Sequence, residues 1–130
     1  MASIETFSAP GVYDPPHYSQ GIKVSGAQTL LFLSGQVAYT SSGTADHRGD
    51  FTAQARAAFE AIARLVESQG GTLANVVKLT TFVTDMRYRA DLAVVREAFF
   101  GKKSPATTLV EVRSLAHPDW LVEIEAVAVL

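Results

Sequence analysis

The chain has 130 residues, 48% of them apolar and 18% charged, with 11 basic against 13 acidic side chains and a formal charge of −2. That balance gives no general field toward nucleic acid or anionic lipid, and the absence of cysteine excludes a disulfide framework, a thiolate nucleophile and Cys-ligated zinc or iron–sulfur sites. So few charges on a small, surface-rich domain point to some of that surface being covered by another chain.

No repeat, low-complexity stretch or long linker divides the sequence, so residues 1–130 read as one domain. Its apolar runs fall far short of the roughly 18 residues that cross a bilayer. The start, MASIETFSAP, lacks a basic segment followed by an apolar one, so a cytoplasmic protein is expected. Residues 1–17, rich in proline toward the end, read as an extended lead-in. Ile22 and Val24 alternate with polar neighbours, Gly26-Ala27 can turn, and Leu30 to Leu33 is a short apolar run, which predicts two tightly joined strands. Residues 40–49 are polar and rich in Gly and Ser, the composition of a surface loop.

From Asp50 the period changes. Phe51, Ala55, Ala58, Phe59, Ile62, Leu65 and Val66 recur at spacings of three and four, with Asp50 as N-cap and Gly70-Gly71 as a left-handed stop. Asn75 to Thr84 alternates and is β-branched, a strand. Tyr88, Leu92, Val95 and Phe99 form a second helical stripe ending at Gly101. Thr107 to Val112 and Trp120 to Val129 read as strands, separated by a turn at Pro118-Asp119. The order ββ-α-β-α-ββ predicts an α+β fold, a mixed sheet with both helices on one face. The other face then needs solvent or a second subunit.

Few patterns carry chemistry. No phosphate-binding glycine loop or GxSxG elbow is present, and His17, His47 and His117 show no metal-ligand spacing. The informative pair is Glu123 and Glu125. Two residues apart in an apolar strand, they should share one face, with Val122, Ile124 and Val127 pointing mainly elsewhere. Such carboxylates either form a solvated edge, pairing with Lys78 or Arg113, or provide a general acid/base group in a partly desolvated cleft. Glu111 is open to the same two readings.

Six blocks occur in order: YSQGIKV (Tyr18 to Val24), LFLSGQV (Leu31 to Val37), NVVKLTTFVTDM (Asn75 to Met86), REAFFG (Arg96 to Gly101), SPATTLVEV (Ser104 to Val112) and LVEIEAVAV (Leu121 to Val129). Together they resemble the Rid superfamily, also called the YjgF or endoribonuclease L-PSP family. The resemblance implies a chorismate-mutase-like fold and a homotrimer with a central barrel and inter-subunit clefts. It also implies cofactor- and metal-free hydrolysis of reactive enamines and imines such as 2-aminoacrylate. By position, Tyr18, Ser34, Gly35, Thr107 and Thr108 would bind the small-molecule substrate and Glu123 would be the catalytic group. Trp120 would either pack at the trimer interface or wall the cleft for a flat or apolar ligand.

Two departures stand out. Deaminating members carry an arginine where this chain has Thr107, and several carry asparagine where it has Ala93. A threonine hydroxyl cannot replace a guanidinium that grips a carboxylate in two places. Arg113 lies six residues along, roughly 20 Å if extended, and nothing in the sequence brings Arg87 or Arg89 to the position. The expected function is therefore hydrolysis of a C=N compound other than 2-aminoacrylate. A non-catalytic ligand-binding trimer is the alternative, and ribonuclease activity ranks last because no basic stripe or aromatic ladder offers an RNA track.

Overall fold

The computed structural model describes residues 2–102 and 104–130. The strands are β1 (Ser3–Phe7), β2 (Tyr18–Ser19), β3 (Gly21–Ser25), β4 (Leu30–Gln36), β5 (Val76–Val83), β6 (Ser104–Glu111) and β7 (Val122–Val129). The helices are α1 (Phe51–Glu67) and α2 (Arg89–Phe100). A five-stranded sheet runs β2-β6-β5-β7-β4, and β1 pairs with β3 in a separate antiparallel ribbon. β6 runs parallel to β5, a pairing that requires a crossover, and α2 supplies it. Both helices lie on one face, α1 over β7 and β4 and α2 beside β6 and α1. This is the α+β architecture that the sequence predicts.

The expected local signals operate. Asp50 Oδ1 accepts from Ala53 N at 3.0 Å, capping α1. The chain leaves that helix through Gly70 at φ 88°, and Gly71 N donates to Val66 O. Gly101, at φ 76°, ends α2. Between the helices and the sheet lie Phe59, Ile62, Val66, Leu92, Val95, Leu79, Val83, Val122, Ile124 and Ala126.

Several expectations need correction. The predicted β3–β4 hairpin does not form: β3 takes β1 as its partner, and β4 joins the outer edge beside β7. The lead-in of residues 1–17 therefore contains a strand, which local composition hides because every residue of β1 is exposed. β6 starts at Ser104, three residues before its predicted start, because it pairs with β2 there. Leu65 is 39% exposed, at the margin of the α1 stripe, while the polar Gln54 is wholly buried within it. Val127 shares the open face with Glu123 and Glu125, since it pairs with Phe32 and Lys78 rather than with helix-facing residues.

Candidate active site

Pairing assigns each strand residue to a face. Leu79, Thr81 and Val83 of β5 are buried under the helices, and their partners Thr107, Leu109 and Glu111 share that face. Lys78, Thr80 and Phe82, with Ala106, Thr108 and Val110, occupy the open face. Glu125 opposite Thr80 and Glu123 opposite Phe82 stand there too, as the two-residue spacing predicts. Phe32 (75% exposed) and Leu30 (56%) extend this open face onto β4.

The predicted site residues separate into two groups. The first is built around a β-bulge. On β4 Leu33 pairs with Ala126 and Gln36 with Ile124, so three steps on β4 match two on β7 and one residue is extra. The irregularity lies at Ser34-Gly35, and the Glu123 carboxylate lies directly against Gly35. A Cβ added at position 35 would come within 2.0 Å of Glu123 Oε2. A side chain at position 35 would displace the carboxylate from this position. Ser34 is exposed beside it, and its carbonyl accepts from Gln36 Nε2 at 3.1 Å. Thr108 also faces this side, where its hydroxyl accepts from Lys78 Nζ at 2.9 Å. Lys78 is thus engaged by a hydroxyl rather than by the glutamates.

The second group lies on the helix-covered face at the opposite edge. Tyr18 and Thr107 line a cavity of about 450 Å³ with His17, Met86, Arg89, Ala93, Arg96 and Leu109. Thr107 Oγ1 is buried and has no hydrogen-bond partner among the described residues. β2 and β4 are four strand spacings apart, roughly 19 Å. Thr107 on β6 and Glu123 on β7 are only two spacings apart but occupy opposite faces of the sheet, so Tyr18 and Thr107 do not line one cleft with Ser34, Gly35 and Glu123 of the same chain. The alternation of a strand also separates Thr107 from Thr108, so one subunit does not present both to the same ligand.

Trp120 belongs to neither group. Its Nε1 donates to Ala38 O at 2.9 Å, and its ring meets Tyr39 and His117 edge-on at 5.4 and 5.7 Å. Glu111 likewise has a local structural role: Oε1 accepts from Met86 N at 2.7 Å, holding the 3-10 turn of Met86–Tyr88 against β6. Asp85 caps that turn through Arg87 N and also grips the Arg87 side chain. The hydrogen bonds from Arg87 hold the Asp85 carboxyl below its ordinary pKa.

Arg96 is the residue that sequence reasoning missed. Burial pushes its guanidinium below the ordinary arginine pKa; the Tyr18 phenol favours the charged form and the neighbouring Arg89 disfavours it. One signal was available. Arg89, Ala93 and Arg96 are spaced by four and three, so they share a helix face, immediately beside the apolar Leu92–Val95 stripe. Among the described residues, no group of three or more His, Asp or Glu gathers as metal ligands would, and no helix is long and apolar enough to cross a membrane.

The family model described as Endoribonuclease L-PSP matches residues 12–130. The chain is 37% identical over 125 residues to a RutC family protein of Pyrococcus horikoshii, covering 96% of this chain and 94% of that one. It is 34% identical over 130 residues to the 2-iminobutanoate/2-iminopropanoate deaminase of Escherichia coli K12, covering 98% and 96%. Its fold superimposes on the crystal structure of YyfB, a Rid family protein of unknown function from Yersinia pestis, with TM-score 0.86, 26% identity and 98% coverage of both chains. RidA from an Antarctic Psychrobacter gives TM-score 0.71 at 31% identity, covering 96% of this chain and 94% of that one. With a family match from residue 12 to the last residue and relatives above 30% identity along nearly all of its length, the chain belongs to the endoribonuclease L-PSP, or Rid, family.

Proposed function

We propose that this protein hydrolyses a small imine or enamine to the carbonyl compound and ammonia, at a cleft between the subunits of a homotrimer. The observation that carries this reading is the Ser34-Gly35 bulge, with Glu123 seated where any larger residue at position 35 would collide with it. A carboxylate given room by a glycine and a distorted strand is positioned for proton transfer rather than for filling a sheet face. The E. coli relative named as a 2-iminobutanoate/2-iminopropanoate deaminase supports the same reaction class.

The chemistry needs a water, a base and a proton return. Glu123 takes a proton from water as the oxygen adds to the C=N carbon and passes that proton to the nitrogen, giving the carbinolamine. It then takes the hydroxyl proton and delivers it to the nitrogen as the C–N bond breaks, so that ammonia leaves, the carbonyl forms and the carboxylate is restored. An enamine enters by protonation at carbon, which makes it an imine. Backbone amides near Gly35 or Thr108 steady the charge that develops. No step requires a cofactor or a metal.

Two features support an assembled site. Tyr18 and Thr107, toward the β2 edge on the helix-covered face, and Gly35 and Glu123, toward the β4 edge on the open face, come together only if one subunit's surface meets another's. The open face also carries exposed Leu30, Phe32 and Val110, apolar area of the kind that a partner covers. Compact acids such as 2-aminoacrylate are disfavoured as substrates because Thr107 puts no cation on β6.

The test is turnover of a panel of imines, generated in place from amino acids or amines, by the purified protein and by Glu123→Gln, alongside sedimentation of both. Removal of a general acid/base group lowers the rate by about 10² to 10⁴-fold. The expected result is at least a hundredfold loss for the variant in an intact trimer. Failure to hydrolyse any panel member, or an undiminished rate in the variant, overturns the assignment.

A further inference from the structure

We propose that Arg96, assisted by Arg89, binds an anionic group of the substrate, so that α2 supplies the cation that β6 lacks at Thr107. The inference rests on the reading above, because it names the substrate class of that same site. It deepens it by one step: the C=N compound carries an oxyanion, a carboxylate, set away from the reacting carbon.

Four observations converge. First, Arg89 and Arg96 line the same cavity as Thr107 and Tyr18. Second, neither has an acidic partner: Arg89 is exposed and Arg96 half-buried. Among the described residues, no carboxylate comes within 4.0 Å of either guanidinium, although Arg48 and Arg87 both have such partners. Glu97, next along the helix, borders a smaller adjoining cavity with Arg96 without pairing to it. Third, Thr107 Oγ1 is buried with no hydrogen-bond partner among the described residues. Buried polar atoms are nearly always satisfied, so this hydroxyl is open to a water or a ligand group. Fourth, Ala93 stands between the two arginines in the sequence and also lines the cavity, where a small side chain leaves space.

The energetics favour an anion. Two like charges on one helix face, one of them partly removed from water, repel each other and lose hydration. A carboxylate between them relieves both costs and gains charge-assisted hydrogen bonds. Tyr18 and Thr107 add neutral hydroxyls that orient it. At about 450 Å³ the cavity lies in the 300–1,000 Å³ range of small-molecule sites, ample for more than a three-carbon acid. The relocation also accounts for the threonine: an arginine at position 107 would place a third cation against Arg96.

The test uses the intact assembled protein and three imines: one neutral, one compact 2-imino acid, and 2-iminopentanedioate, which carries a distal carboxylate. The quantity read is the ratio of kcat/KM for the distal dicarboxylate over that for the compact 2-imino acid, since both carry the carboxylate on the reacting carbon; the neutral imine reports the basal rate. Wild type should favour the dicarboxylate by at least about tenfold, since one charge-assisted bond contributes roughly that much or more. Arg96→Gln should remove most of this preference through KM, Arg96→Lys should keep part of it, and Arg89→Gln should remove a smaller share. Arg113→Gln, on an exposed residue outside the cavity, should leave the ratio unchanged. Calorimetric binding of the stable product 2-oxopentanedioate gives a readout independent of chemistry. If wild type and Arg96→Gln show the same ratio, the anion site is overturned while imine hydrolysis stands. If no imine is hydrolysed but 2-oxopentanedioate binds wild type and not Arg96→Gln, the hydrolase reading falls and the anion site stands. Absence of both turnover and binding overturns both.

Discussion

Gln54 and Thr107 are both polar side chains turned into the space between helices and sheet, and they are treated in opposite ways. Gln54 is 0% exposed and fully used: Nε2 donates to His47 O and to Asp119 O, and Oε1 accepts from Leu121 N. It ties α1 to the loops of His47 and Asp119, which the Arg48–Asp119 ion pair and the Trp120–Ala38 hydrogen bond also join. Thr107 Oγ1, by contrast, is buried and has no hydrogen-bond partner among the described residues. A buried polar group whose hydrogen bonds are complete within the chain is part of the architecture. One left incomplete beside two unpaired arginines marks where the architecture stops and a ligand begins.

The largest effect that sharpens this contrast is on stability. Gln54→Ala leaves the Leu121 amide and the Asp119 carbonyl without the Gln54 side chain, strips His47 O of one of its two donors and opens a cavity, which together should cost about 3–5 kcal/mol. Urea unfolding followed by circular dichroism measures it; a loss below about 1 kcal/mol would mean that water replaces the clip and the contrast is false. Thr107→Val should behave in the opposite sense. It deletes an unsatisfied hydroxyl at constant shape, so folded stability should stay level or rise by up to about 1 kcal/mol. A clear destabilisation in the same assay would reveal a structural partner for the hydroxyl.

The smallest effect concerns pH. The Asp85 carboxyl is held below its ordinary pKa by Arg87, so its contribution is complete above the unfolded value near 4 and is lost as pH falls through the lower folded value. Because the pair is exposed, the contribution is small, and salt weakens it further. Asp85→Asn should therefore match wild type in thermal midpoint within a degree or two at pH 7, and the difference should shrink as pH falls through the lowered folded value of the carboxyl. A large midpoint change would show that the 3-10 turn leading into α2 depends on this cap as heavily as α1 depends on Gln54.

Much of the architecture was legible. The α1 stripe, its Asp50 cap and its glycine stop are local, and they form because each is stabilised by residues within a turn or two. The shared face of Glu123 and Glu125 follows from the two-residue period of a strand. What misled was partner choice. The Ile22–Val24 and Leu30–Leu33 segments have strand character, but nothing in their composition says that the first takes Ser3–Phe7 and the second takes β7. Likewise, Thr107 and Thr108 were expected in one cleft on resemblance alone, although alternation already sets them on opposite faces.

The sequence by itself determined the fold class, the family, the two helices and the place of Glu123, because periodicity and short-range caps act over a few residues. It also determined that a threonine stands at position 107. Only the tertiary structure decided what surrounds that threonine. The α2 face carrying Arg89, Ala93 and Arg96 meets β6 through the crossover from β5, a contact set by packing between elements rather than by spacing along the chain. For the same reason Gly35 meets Glu123 across nearly 90 residues of sequence: antiparallel pairing of β4 with β7 and one extra residue in the bulge put a carboxylate where a side chain at position 35 would displace it.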